Sequence, residues 1–177
     1  SVMMNIGTSP KLLNDGLTTS VAYGVGGRVM YEIEGNITCS GDTLTWLCRE
    51  MGLFQDVDQI ESLANSVPDA QGVHLVPALC GLGAPYFDVA ARAVLCGMGR
   101  GTTRAHVARA ALESIAQQIA DAFEAMRRDS GFDAPRMMAD GGGTRNRLLM
   151  QLQADLAGCE IRCPAAPCWA TWPAWPT

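Results

Sequence analysis

Lysine is almost missing from this chain: Lys11 stands alone beside twelve arginines, and the net charge is −5. Nucleic acid is therefore not expected as a partner, because binding its phosphates needs a concentrated basic face. Long apolar runs are missing as well. No stretch approaches the ~20 apolar residues of a membrane span. Ser1 to Met4 also lack the basic segment that precedes a signal peptide's apolar core, so neither membrane nor secretion is expected. Histidine occurs only at His74 and His106. The seven cysteines (Cys39, Cys48, Cys80, Cys96, Cys159, Cys163 and Cys168) include no Cys-x-x-Cys pair. They fit no zinc spacing with the distant histidines, so free thiols and no metal site are expected, as in a cytoplasmic protein.

What is present suits one domain: 177 residues, 48% of them hydrophobic, are enough for a real core. Short strands are predicted at Val2 to Ile6, Leu17 to Tyr23 and Arg28 to Ile33. The last two flank Gly24-Val25-Gly26-Gly27, whose glycines supply the positive φ of a hairpin. Helices are predicted from a Ser40 N-cap through Leu44, Leu47, Cys48 and Met51, and again from Asp56 to Asn65. Strands at His74 to Val76 and Ala93 to Gly97 flank a Gly/Ala/Pro-rich loop. The longest element is a helix from about Thr103 to Asp129, with Val107, Ala111, Ile115, Ile119, Phe123 and Met126 on one stripe and Gly131 as C-cap. Strand, glycine turn, helix and strand then follow at Arg136 to Ala139, Gly141 to Gly143, Asn146 to Ala157 and Glu160 to Arg162. Three antiparallel strands followed by alternating helices and strands predict an α/β domain over residues 1–162. Residues 163–177 form an irregular tail in which Pro164, Pro167, Pro173 and Pro176 interleave with Trp169, Trp172 and Trp175.

Two glycine turns could face a ligand. Asp140-Gly141-Gly142-Gly143-Thr144 follows a strand and opens a helix, so bare backbone and the N–H groups of a helix start favour an electron-rich group. Asn146, in the first turn, could hydrogen-bond an adenine or ribose edge. Gly7-Thr8-Ser9 offers hydroxyls and open backbone to phosphate but has neither the glycine spacing nor the Lys of a Walker loop. Taken alone, each also serves as a plain tight turn. His74 and His106 read as structural, Glu113 as a packing brace, and Arg100 and Arg104 as solvated surface.

A longer pattern runs from Ala93-Val94-Leu95-Cys96-Gly97-Met98 across seven residues to His106-Val107-x-x-Ala110-Ala111-Leu112-Glu113. It resembles the second signature of the FGGY carbohydrate kinases. Gly81-Leu82-Gly83-Ala84-Pro85-Tyr86-Phe87-Asp88 resembles the matching loop of the glycerol kinases in that family, with Phe87 where they usually carry Trp. Asn14-Asp15-Gly16-Leu17 with Thr18-Thr19, Glu34-Gly35, and Asp140-Gly141-Gly142 through Leu149-Met150-Gln151 extend the resemblance over residues 5 to 162.

The resemblance implies an actin-like (ribonuclease H-like) ATPase domain, the second of two that enclose a cleft. It implies ATP on this domain, with Mg2+, and the sugar or polyol mainly on the first. Thr8 is then expected by the β- and γ-phosphates, Gly41 on the phosphate or ribose side, and Gly142 and Asn146 at adenosine. Thr45 stands where glycerol kinases often place a Gln at the nucleotide, and Lys11 about where an aromatic side chain would touch glycerol. The family's catalytic Asp is expected upstream of Ser1, so no catalytic residue is assigned in this chain. The expected activity is ATP-dependent phosphorylation of a polyol or sugar hydroxyl, glycerol first, with xylulose or erythritol as alternatives. A truncated, non-catalytic remnant is the other alternative. The partners expected are ATP or ADP, the small substrate through the other domain, and a second copy in a homo-oligomer. The tail departs from the small-residue helix of the family in a way that a one-base shift in GC-rich codons would produce.

Overall fold

The computed structural model describes residues 1–13 and 16–164. The Trp/Pro-rich stretch from residue 165 onward and the Asn14-Asp15 pair lie outside the described residues.

Strand β1 (Val2–Gly7) buries Val2, Met4 and Ile6 and turns Met3 and Asn5 outward, the period of two that a half-buried strand requires. It pairs antiparallel with β3 (Arg28–Gly35), which pairs in turn with β2 (Thr18–Val25), giving the order β1-β3-β2. Two residues join β2 to β3, Gly26 and Gly27, with φ of 57° and 76°. Both central positions of such a hairpin turn need positive φ, which is why the sequence places glycine there.

Helix α1 (Gly41–Arg49) buries Thr43, Leu44 and Leu47. The expected hydroxyl cap at Ser40 does not form: its side chain makes no cap bond, and the Asp42 carboxylate accepts the Ser40 N–H at 2.6 Å instead. Helix α2 (Val57–Asn65) is capped by Asp56, which accepts from the Gln59 N–H at 2.8 Å. Strands β4 (His74–Val76) and β5 (Val94–Cys96) form a short antiparallel pair. The loop between them is tied down by Thr38 Oγ1 donating to the Gly81 carbonyl at 2.7 Å and the Ala84 N–H donating to the Asn36 carbonyl at 2.8 Å. Tyr86 Oη donates to Asp121 at 2.8 Å, and that bond first, with burial behind it, holds the phenol above its ordinary pKa.

Helix α3 (Arg104–Ser130) is the spine. His106 Nδ1 accepts the Thr103 N–H at 3.0 Å at its start, and Gly131 ends it with φ 71°. Its N-terminal half packs Ala108, Leu112 and Ile115 against α1 and α2, and its C-terminal half packs Ala122, Phe123 and Met126 against the first sheet. One helix thus carries two cores. After it, β6 (Arg136–Met138), a 3₁₀ turn (Gly142–Arg145), α4 (Arg147–Ala157) and β7 (Glu160–Arg162) form a β–α–β unit with β6 and β7 parallel.

Candidate functional site

A cleft of about 1080 Å³ opens over α3. Ile115, Ile119 and Phe123 of α3 lie along it. One end lies between the start of α1 and the start of α4, with Gly41, Thr45, Gly142 and Asn146 on its walls. The other end lies between β1 and β6. Four of the five expected nucleotide residues therefore meet in one cavity, although about a hundred residues separate the two pairs in sequence.

The α4 end is shaped by backbone. Gly141 has φ 102°, a value that a side chain would strain, and it turns the chain out of β6 into the 3₁₀ segment. Gly142 does not need positive φ, and a Cβ there would meet nothing within 4 Å. Its side-chain space is cleft, not core. Asn146 caps α4, its Oδ1 accepting the Leu149 N–H at 2.8 Å. That bond fixes the amide, leaving the Nδ2 group as the donor available to a ligand acceptor.

Free N–H groups were expected at the start of α4, but Glu61 of α2 takes two of them: its Oε1 accepts from Arg147 N at 2.8 Å and from Leu148 N at 3.1 Å. With Asn146 on the Leu149 N–H, the first-turn amides are occupied and a carboxylate sits at the helix start. The positive end of α4 is already neutralised. This end suits an uncharged ring rather than a phosphate. Nothing local to α2 announces the role of Glu61, because it arises only when α2 and α4 pack side by side.

The α1 side differs. No side chain caps α1, and Gly41 is its first residue, exposed on the cleft with no atom within 4 Å of a would-be Cβ. Cys39, just before it, is fixed by its carbonyl accepting from Gln118 Nε2 at 3.0 Å. Thr45, one turn further on, is half-buried on the same wall. The wall carries four carboxylates (Asp42, Asp58, Glu61, Asp140) and two guanidiniums (Arg136, Arg145).

Thr8 is not brought to the cleft. Ser1 to Asn5 line it, but Thr8 follows the register shift between Asn5 and Gly7 and is not on the cleft wall. Lys11 is also elsewhere: its Nζ donates to the Ser130 carbonyl and lies 5.1 Å from the Phe132 ring centre. It serves as a cationic cap on the C-terminal end of α3. Glu113 pairs with Arg109 at 2.7 Å on one face of α3. Arg104 reaches the Leu53 carbonyl at 3.4 Å. The six described cysteines are free, and burial pushes the Cys48 and Cys159 thiols up, which keeps them protonated.

The model of the C-terminal domain of the FGGY family of carbohydrate kinases matches residues 1–170. The chain is 50% identical over 160 residues to a glycerol kinase of Dechloromonas aromatica (strain RCB), a match that covers 90% of this chain and 32% of that protein. It is 48% identical over 160 residues to a glycerol kinase of Rhodopirellula baltica, covering 90% of this chain and 30% of the relative. The crystal structure of Plasmodium falciparum glycerol kinase with ADP superposes with a TM-score of 0.86 at 30% identity, over 93% of this chain and 33% of that one. The chain therefore belongs to the FGGY family of carbohydrate kinases, within its C-terminal domain. Its α/β architecture is the actin-like one those kinases share, and it spans about a third of the length of the curated relatives it matches.

Proposed function

We propose that this chain is the nucleotide-binding part of an ATP-dependent kinase that phosphorylates a hydroxyl of a polyol or sugar, with glycerol the first substrate to test. The observation that carries this reading is the convergence of Gly41 and Thr45 from α1 with Gly142 and Asn146 from the α4 start on one cleft. Both glycines leave room that a side chain would fill. Ile115, Ile119, Leu149 and Met150 supply apolar wall for a flat base, and the Asn146 Nδ2 group can donate to a ring nitrogen. The phosphates then extend toward Gly41, where the α1 amides carry no side-chain cap and the Asp42 carboxylate is held on the Ser40 N–H, and away from α4, whose first amides Glu61 already occupies.

Mg2+ enters with the nucleotide in this reading. Four wall carboxylates against two guanidiniums repel a bare polyphosphate. A Mg2+ ion keeps several waters and binds phosphate oxygens without a dedicated protein cage. Among the described residues no group of three or more His, Cys, Asp or Glu stands together to make such a cage. ATP supplies the transferable phosphoryl group. The protein's contribution to such a transfer is in-line positioning and stabilisation of charge. This chain's residues bind and orient the base and exclude water from it. The proton-accepting carboxylate and most substrate contacts belong to a separate N-terminal domain.

The experiment is titration of the 177-residue chain with ADP, followed by calorimetry, and a turnover assay with Mg-ATP and glycerol, erythritol or xylulose. Saturable ADP binding without turnover is expected. No ADP binding at millimolar concentration overturns the site, and Mg-dependent ADP release with pure chain overturns the division of labour. A cytoplasmic location is proposed with the kinase activity. A homo-oligomer is proposed from the exposed apolar side chains of the β2–β3 hairpin, Val21, Tyr23, Val25 and Val29. Sedimentation at several concentrations tests it, with a concentration-independent monomer as the contrary result.

A further inference from the structure

Four carboxylates stand on the cleft wall, and backbone amides already occupy three of them. Asp42 accepts the Ser40 N–H at 2.6 Å, Glu61 accepts from Arg147 N and Leu148 N, and Asp140 accepts the Gly141 N–H at 2.7 Å. Asp58 is the exception. It is exposed on the cleft in the first turn of α2 and makes no hydrogen bond or ion pair among the described residues. Its place follows from that of Glu61. The two lie three residues apart on α2, which puts them on one helix face with Cβ atoms about 5–6 Å apart. Glu61 bonds the amide next to Asn146, so Asp58 stands one helical turn from the start of α4, at the same end of the cleft as the Asn146 amide. Val57, Leu149 and Met150 line that end as well, so the two polar groups are set in apolar wall. A carboxylate that only accepts and an Nδ2 group that only donates make an acceptor–donor pair. A first-turn aspartate also complements a helix dipole, but Asp56 already caps α2 by accepting the Gln59 N–H at 2.8 Å.

We infer that Asp58 reads the base: its carboxylate accepts from the exocyclic amino group of adenine while the Asn146 Nδ2 group donates to the adjacent ring nitrogen. The inference rests on the nucleotide reading of the cleft and adds to it the residue that sets base selectivity. Adenine offers an amino donor beside a ring acceptor, the complement of this pair. Guanine held in the same orientation places its O6 acceptor where adenine has the amino group, and so turns an oxygen toward a carboxylate. Guanine is then rejected by repulsion as well as by a missing bond.

The test is calorimetry of the 177-residue chain with three diphosphates: ADP, GDP, and purine riboside 5′-diphosphate, which has the adenine ring without its amino group. The parent chain should bind ADP about tenfold more tightly than either of the others, the discrimination of one good base-reading pair. Asp58→Ala should close the gap between ADP and the analogue without the amino group. Asp58→Asn keeps an acceptor oxygen and gains a donor for O6, so it should bring GDP to within about threefold of ADP. Ratios between the nucleotides isolate the base, because the effect of a lost charge on the shared phosphates moves all three alike. The proposal is overturned if Asp58→Ala shifts all three affinities by the same factor, since Asp58 then acts only through its field. It is also overturned if the parent chain binds the three equally, a result that leaves the nucleotide reading standing. Absence of binding by all three at millimolar concentration overturns both.

Discussion

Two turns in this molecule look alike in sequence and do different work. Gly7-Thr8-Ser9 and Asp140-Gly141-Gly142-Gly143-Thr144 each follow a strand, and each offers glycine backbone and hydroxyls. Only the second lies on the cleft. The difference is in what comes next. After Gly143 the chain enters a 3₁₀ turn and then α4, which packs on α3 and anchors the glycines against a fixed wall. After Ser9 the chain enters irregular backbone, with no helix following the turn to hold it over the cleft. A glycine turn becomes a binding surface when a helix holds it in place over a cavity.

The largest effect expected from breaking that comparison concerns a glycine of a third kind. Gly97 has φ 80°, and a Cβ there would run into the Gly72 carbonyl oxygen. Gly97→Ala thus adds backbone strain to a clash with backbone that cannot swing away. It should cost ~3 kcal/mol or more and lower the melting temperature by roughly 10 °C. A melt within two degrees of the parent shows that β4 and β5 can separate freely, and with them the idea that this glycine serves the fold.

Gly142→Val sharpens the contrast from the other side. Its Cβ meets nothing in the protein and φ is not left-handed, so the melt should be unchanged. ADP affinity should fall about 100-fold or more, equivalent to ~2.7 kcal/mol, because the branched side chain occupies the cleft. Calorimetry on the variant decides it: parent-like ADP affinity removes Gly142 from the site. Gly41→Val should behave in the same way at the α1 side.

Glu61→Gln is a smaller perturbation with two opposite signs. The amide oxygen can still accept from Arg147 and Leu148, but the charge at the α4 start is lost, which should cost ~0.5–1 kcal/mol of stability. ADP affinity should rise by up to about threefold, since one of four wall carboxylates disappears, and salt should shrink the gain. A fall in ADP affinity instead places the phosphates at α4.

Much of this architecture was legible in the sequence because the signals were local. Gly26-Gly27 announced the hairpin, the Val107-to-Met126 stripe announced α3, and Gly131 its end. The four cleft residues were legible through resemblance to the family motifs rather than through periodicity. The errors share a cause. Glu61 occupies the α4 amides from 86 residues away, and Lys11 reaches Ser130, 119 residues away in sequence. Each depends on which polar side chain arrives first at an open backbone group. Such competition is decided by tertiary packing and leaves no pattern in the sequence.

The smallest expected effect belongs to Thr8→Ala, and it is the most informative null. If Thr8 held a phosphate through its hydroxyl, removing that charge-assisted bond should cost ~1.5–3 kcal/mol, or at least tenfold in ADP affinity. The structure instead places Thr8 past the end of β1 and off the cleft wall, exposed to solvent. Its loss should therefore change ADP affinity by less than twofold and stability by less than ~0.5 kcal/mol, as at an ordinary surface position. Measuring Thr8→Ala beside Gly142→Val under one set of conditions makes the comparison internal. A tenfold loss at Thr8 requires the β1 end to fold back over the nucleotide, a rearrangement of the bulge between Asn5 and Gly7 that hydrogen exchange with and without ADP would register.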